Sequence, residues 1–162
     1  MLLNHKQAMQ RINRIAYQVY EDNATEKEII VAGIRKSGYE VAILLKEVLE
    51  QISPLAVQLV EVTLDKHSQV ASDIKLSVDA SLLPGKSIVL VDDVLNSGKT
   101  MMYALKPFLA SDIKKIRTVV LVDRNHRRYP IAADFVGLSL ATTMQEHVAV
   151  EFSNKEITAF LS

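Results

Sequence analysis

Apolar residues recur along this chain with two different periods, and the alternation between the two predicts its architecture. From Asn4 to Tyr20 the positions Ala8, Ile12, Ile15, Ala16 and Val19 fall three and four apart, on one stripe of an amphipathic helix. Glu28–Ala32 is short and rich in β-branched residues, as a strand is. Tyr39–Gln51 returns to the helical period, with Val41, Ala42, Leu44, Leu45, Val48 and Leu49 facing a core. Ala56–Thr63 alternates apolar and polar residues like a strand near a sheet edge, and Ile74–Val78 resumes that pattern after a polar excursion. Pro84-Gly85 marks a turn before Ile88–Val91, an unbroken apolar run suited to a strand buried on both faces. A helix follows from Lys99 to Leu109, and Ile116–Val122 is a second buried-strand run. His147–Glu151 and Glu156–Phe160 close the chain as a hairpin turning at Ser153-Asn154-Lys155. Strands alternating with helices imply an α/β protein: an open, mostly parallel twisted sheet covered by helices on both faces.

A chain of 162 residues suits one domain spanning 1–162 with a proper core. Lys plus Arg and Asp plus Glu both number 19, so no overall field recruits nucleic acid or an anionic membrane. Cysteine is absent, which excludes disulfides and thiol chemistry and suits a cytoplasmic protein. The longest apolar runs are strand-sized, so a membrane partner is not expected. The basic group Lys114, Lys115 and Arg117 suggests a solvated helix end.

Candidate chemistry concentrates in Ser87–Thr100. Asp92 and Asp93 stand where the apolar strand is expected to end, followed by the turn Asn96-Ser97-Gly98 and a helix starting at Lys99. A strand, a polar turn and a helix N-terminus make a phosphate seat, because backbone N–H groups and the helix dipole converge on one spot. Ser97 and Thr100 add hydroxyl donors, and Gly98 allows close backbone approach. Adjacent carboxylates would repel a bare phosphate. Their natural partners are sugar hydroxyls and Mg²⁺, so the implied ligand is a ribose 5-phosphate. A solvated strand end beside a plain helix cap is the alternative. Gly98-Lys99-Thr100 ends like a Walker A loop, but the first glycine of that motif would fall on Asp93, which excludes it. A second basic turn, Arg35-Lys36-Ser37 between Gly33 and Gly38, is either another anion site or an ordinary strand-to-helix turn.

Val89–Thr100 resembles the phosphoribosyl pyrophosphate signature of type I phosphoribosyltransferases: an apolar strand, two acids, two apolar residues and a T/S-G-x-T loop. Leu121–Gly137, LVDRNHRRYPIAADFVG, is similar to a run in the pyrimidine-operon attenuator/uracil phosphoribosyltransferase family. The resemblance implies Mg²⁺-dependent transfer of phosphoribosyl from phosphoribosyl pyrophosphate to a nucleobase. It gives Asp92 and Asp93 to the ribose hydroxyls and to Mg²⁺, largely through water, and Asn96, Ser97, Gly98, Lys99 and Thr100 to the 5-phosphate. It gives Arg35, Lys36 and Ser37 to the pyrophosphate, and Arg124, Phe135 and Val136 to the base, although Phe135 also suits an ordinary strand position. It further implies a flexible loop at about 65–74, a C-terminal hood at about 124–162 and a homodimer or higher homo-oligomer. Relatives that use purines usually carry a lysine at the position of Asp123, which points toward a pyrimidine-type base.

Three departures qualify this. Ser37 stands where the family more often has arginine, and Asp65-Lys66-His67-Ser68 replaces an R-D-D-L loop start, which opens a regulatory, ligand-binding alternative without catalysis. Tyr17, Ala132 and Leu138 stand where attenuator members carry histidine or basic residues, so specific RNA binding is not expected.

Overall fold

The computed structural model describes residues 1–64 and 74–162, so the expectations for the loop at 65–73 lie outside the described residues. The first half runs α1 (His5–Asp22), β1 (Glu28–Ile34), α2 (Ser37–Ile52), β2 (Ala56–Leu64) and β3 (Ile74–Leu76). After a turn of 3-10 helix at Ala80–Leu82 come β4 (Ser87–Leu95), α3 (Lys99–Leu109), β5 (Lys115–Asp123), β6 (Phe135–Ser139), β7 (Val148–Ser153) and β8 (Glu156–Leu161). The main sheet has the order β3-β2-β1-β4-β5-β6, and β7 pairs with β8 separately. β2, β1, β4, β5 and β6 are parallel, and β3 runs antiparallel at one edge.

Successive residues of the central strands feed opposite faces, as the period of two requires. Ile29, Val31, Val89, Val91, Val119 and Leu121 share a core with the stripe of α1 and the buried face of α2. Ile30, Ala32, Ile88, Leu90 and Val120 pack instead with Met101, Ala104 and Phe108 of α3. This explains why Ile88–Val91 is apolar without interruption: both of its faces are covered. α1 begins at a capping box, Asn4 Oδ1 accepting from Gln7 N at 2.8 Å and Gln7 Oε1 from Asn4 N at 3.0 Å. The buried hydroxyl of Ser87 donates to Asn23 Oδ1 at 2.6 Å, and Asn23 Nδ2 donates to Val19 O at 2.8 Å, tying the end of α1 to the start of β4.

Several boundaries differ from expectation. β1 continues through Gly33 to Ile34, because Gly33 pairs on both sides, with Glu61 and with Val91. β4 runs on through both acids to Leu95. Its pairing with β1 stops at Val91, but β5 stays alongside and pairs with Asp92, Val94 and Leu95. Lys115 and Arg117 open strand β5 rather than close a helix, and both bind the Asp22 carboxylate at 3.1 Å, while Lys114 pairs with Glu26. Residues 135–139, expected in the hood, complete the main sheet as β6. Asp134 Oδ2 accepts from Thr118 N at 2.8 Å, and Asp134 N donates to Thr118 O at 3.0 Å, which pins β6 onto β5. Arg14 donates to Val136 O at 3.0 Å and Gly137 O at 2.7 Å, covering backbone acceptors of this edge strand.

The segment after β6 leads to the β7–β8 hairpin, which stands apart from the main sheet. Asn154 (φ 51°) and Lys155 (φ 64°) both take the left-handed conformation that a two-residue hairpin turn needs. The hairpin is sewn to the chain start by Leu2 N and Leu3 N, which donate to Ala159 O at 2.7 and 3.1 Å. Val150, Ile157 and Ala159 belong to the same core as α1 and α2.

The Asp22 cluster carries a pH signature. Partial burial raises the Asp22 pKa, but hydrogen bonds and charge from Lys115 and Arg117 outweigh it, so the carboxyl sits below its ordinary value. The resulting stabilisation is fully present above the unfolded carboxyl pKa, about 3.9, and is lost as pH falls through the lower folded value. Asp22→Asn is therefore expected to flatten the fall of stability below about pH 4 in urea melts collected across pH. A variant whose acid limb superimposes on the parent's would show that the cluster contributes nothing.

Candidate active site

Because the strands are parallel, Ile34, Leu64, Leu95, Asp123 and Ser139 all end at one edge of the sheet. Strand order reverses between β1 and β4, since β1 passes on to β2 on one side while β4 passes on to β5 on the other. Crevices at such switch points are where open α/β sheets bind ligands. Both predicted anion loops flank this one.

The loop after β4 is built as a seat. Gly98 has φ +89°, and a Cβ there would lie 2.5 Å from Ile131 Cγ2, so both conformation and space demand glycine. Ser97 O accepts from Arg128 N at 2.8 Å and from Tyr129 N at 3.0 Å, which anchors the turn to the segment after β5. Gly98 provides no side-chain cap to α3, and Ser97 Oγ accepts from Lys99 N at 3.2 Å. The remaining N–H groups of the first turn have no intrahelical acceptor by position and are available to an anion. Asp92, Val94, Leu95, Asn96, Ser97, Gly98, Lys99, Thr100 and Met101 together line an open hollow. The structure thus brings all five predicted phosphate residues to one place, next to Asp92.

The loop after β1 meets the same point. A Cβ on Gly38, in the first turn of α2, would come 2.8 Å from Asp92 Oδ1 and 2.9 Å from Asp92 Cα. The turn Arg35-Lys36-Ser37 therefore leads straight into the contact with Asp92. Arg35 and Lys36 are exposed, Ser37 is half-buried, and the Arg35–Lys36 peptide bond is cis. Arg35 pairs with Glu61 at 3.3 Å. Asp92 Oδ1 accepts from Asp93 N and Asp93 Oδ1 from Val94 N, each at 2.8 Å, so the carboxylates also hold the strand where β1 has departed.

Mg²⁺ suits this donor set only in company. Among the described residues no group of three or more His, Cys, Asp or Glu gathers into a metal cage. Mg²⁺ binds through one or two carboxylates when substrate phosphates and water complete its shell. Half-buried Asp92, which lines the hollow, fits that requirement, and Asp93 follows it on the strand.

Residues 1–154 match the family model described as the phosphoribosyl transferase domain. The chain belongs to this family. Among its relatives, the bifunctional protein PyrR of Haemophilus ducreyi is 32% identical over 157 residues, covering 93% of this chain and 88% of that protein. The PyrR of Streptococcus thermophilus is 35% identical over 144 residues, covering 86% and 82%. These place the chain on the pyrimidine-operon attenuator/uracil phosphoribosyltransferase branch of the family. Solved structures share the fold at lower identity. Trypanosoma cruzi hypoxanthine phosphoribosyltransferase superposes with a TM-score of 0.77 at 16% identity, covering 98% of this chain and 94% of that one. A Bacillus anthracis hypoxanthine-guanine phosphoribosyltransferase gives 0.71 at 21%, covering 86% and 81%.

Of the residues expected at the base, Phe135 and Val136 lie within the sheet, whereas Arg124 reaches Asn96 of the seat. Phe135 and Val136 begin β6, opposite Val119 and Val120, with their side chains in the two cores, while the strand's carboxyl end is Ser139. Arg124 is 7% exposed and engaged internally with Asn96 and the segment 142–146. Asp123 accepts from Arg127 Nη2 at 2.6 Å and from Asn125 N at 2.9 Å. Arg127 also donates to Asn96 O at 3.2 Å and Ile131 O at 2.7 Å. Two residues central to the site's construction, Gly38 and Arg127, entered the sequence reading only as a glycine flanking the basic turn and as part of a basic run, with no role in the site. A glycine in the first turn of a helix was the available signal for one of them.

Gly38→Ala separates helix propensity from packing. Alanine gains about 1 kcal/mol in a helix. The added methyl, however, would collide with backbone atoms, Asp92 Cα and Val91 O at 2.9 Å, which cannot swing aside. Overpacking costs about 1–3 kcal/mol, so a net loss of stability and weakened ligand binding are expected in thermal melts with and without ligand. A more stable G38A protein would show that the α2–β4 seam is loose.

Proposed function

We propose that this chain is a Mg²⁺-dependent phosphoribosyltransferase that joins a nucleobase, uracil or another pyrimidine-type base, to the ribose of phosphoribosyl pyrophosphate and releases pyrophosphate. One observation carries the reading: two anion-receptive loops meet at Asp92 at the switch point, with Gly38 packed against it. A phosphate seat, a carboxylate pair and a second basic loop follow one another in the order of the substrate's 5-phosphate, ribose and pyrophosphate.

In this reading the N–H groups and hydroxyls of Ser97, Gly98, Lys99 and Thr100 hold the 5-phosphate. Asp92 and Asp93 accept from the ribose hydroxyls, and Arg35, Lys36 and the α2 N-terminus face the pyrophosphate. The base nitrogen's bond to C1 forms as the C1–O bond to pyrophosphate breaks. Pyrophosphate leaves with the electron pair, and the base nitrogen gives up its proton. Positive charge develops on the sugar, so the carboxylates act by electrostatics and positioning. Mg²⁺, when bound, neutralises charge on the departing pyrophosphate. The base would lie against the segment following Ser139, which leaves the same sheet edge. Specific RNA binding is not part of the proposal, and the protein is taken to work as a homo-oligomer in the cytoplasm.

A regulatory reading draws on Arg35 being held by Glu61 and on Ser37 in an arginine position of the family. It predicts tight binding of phosphoribosyl pyrophosphate without turnover. Calorimetric titration with Mg²⁺ and phosphoribosyl pyrophosphate, followed by uracil, hypoxanthine or guanine, separates the two: pyrophosphate release with one base establishes the transferase. Asp92→Asn combined with Asp93→Asn keeps the Oδ1 acceptors that hold the strand. It should therefore leave the circular dichroism spectrum unchanged while lowering turnover by about 10²-fold or more. Unaltered turnover in that double variant would remove the assignment.

A further inference from the structure

Arg124 makes more side-chain contacts across the site than the proposed chemistry uses. Its Nε donates to Thr142 Oγ1 at 3.0 Å, and its Nη1 to Asn96 Oδ1 at 3.2 Å. Its Nη2 donates to Glu146 O at 2.6 Å and Thr143 O at 3.1 Å, and lies 3.1 Å from His126 Nδ1. All three guanidinium nitrogens have protein partners, and the residue is 7% exposed, so it is held by protein rather than by solvent. His126 completes the clasp, its Nε2 lying 2.5 Å from Thr142 O.

The two ends of this clasp have different tasks. Asn96 opens the phosphate loop, whereas residues 142–146 follow β6 at the same sheet edge and have no strand or helix to fix them. We infer that Arg124 is a positioning residue: it sets the 142–146 segment, as the base-side wall, in register with the phosphate loop, without touching base or phosphate itself. The inference rests on the proposed function and deepens it, because it assigns base affinity to a backbone segment and the fixing of that segment to one arginine. A planar guanidinium with donors in fixed directions suits such a five-partner junction, and a lysine does not.

The test compares ligands that fill the seat alone with ligands that fill both sides. Ribose 5-phosphate, UMP and GMP are titrated calorimetrically into the parent, Arg124→Met, Arg124→Lys and Thr142→Val, with thermal melts alongside. Arg124→Met is expected to weaken the tighter monophosphate by about tenfold or more while changing ribose 5-phosphate by less than about threefold. Arg124→Lys should recover only part of the loss. Thr142→Val, which removes a single acceptor and retains the fold, should shift the same ratio by a smaller factor. Equal weakening of ribose 5-phosphate and monophosphate would overturn the inference, since Arg124 would then merely support the seat. Unchanged affinities in both Arg124→Met and Thr142→Val would overturn it too. Failure of the parent to bind ribose 5-phosphate would instead overturn the proposed function and the inference with it.

Discussion

The whole site hangs on the missing side chain at Gly38. The crevice between β1 and β4 is useful only if the loop leaving β1 and the acids ending β4 lie within one ligand's reach. Helix α2 must therefore start directly on top of Asp92, at a separation where a Cβ would be 2.8–2.9 Å from Asp92 Oδ1, Asp92 Cα and Val91 O. Gly33 does the same one layer back, where a Cβ would fall 2.5 Å from Tyr39 Cα. Two glycines thus let a helix approach a strand more closely than L side chains allow, and the anion loop is delivered as a consequence. Much of the remaining geometry follows from the parallel sheet, which brings its strand ends to that same edge.

Positive charge is distributed by the same economy. Of the dense group Arg124, His126, Arg127 and Arg128, the first and third are drawn inward. Arg127 joins Asp123, Asn96 and Ile131, and Arg124 joins Asn96 to residues 142–146. A charge partly removed from water needs hydrogen bonds on its donors, and here backbone carbonyls and a carboxylate supply them. At the opposite end of the sheet Lys86, Lys114, Lys115 and Arg117 pair with Glu28, Glu26 and Asp22. One end of the sheet uses its ion pairs to close the fold around α1, and the other uses its cations to fix loops.

Local pattern revealed whatever depends on local chemistry. The run Ile88–Val91, the pair Asp92-Asp93 and the turn Asn96-Ser97-Gly98 each have the residue types their place requires, and the helix from Lys99 begins where the dipole argument puts it. What pattern could not supply was pairing. β4 outlasts its apolar run because β5 continues beside it to Asp123, a fact about a neighbour rather than about Asp92. Phe135 reads equally well as a base platform or a sheet residue until the clamp between Asp134 and Thr118 fixes its register, four residues before the strand's carboxyl end. Arg124 is similar: spacing identifies a cation near the site, but only the fold shows that each of its three guanidinium nitrogens is bound by protein.

In the proposed function, this engagement of Arg124 bears on how a base is chosen. The side chain at position 123, where purine-using relatives usually have a lysine, is an aspartate that is 7% exposed and held by Arg127 at 2.6 Å. It is part of the scaffold, so in the proposed function discrimination between bases falls to groups that leave the sheet edge after Ser139. There the carbonyls of Thr143 and Glu146 are taken by Arg124, and Thr142 O lies against His126. With those acceptors consumed, the segment meets a ligand with a reduced and fixed set of backbone groups. Preorganisation of this kind converts modest contacts into selectivity, because the loop's ordering entropy is already spent before the base arrives.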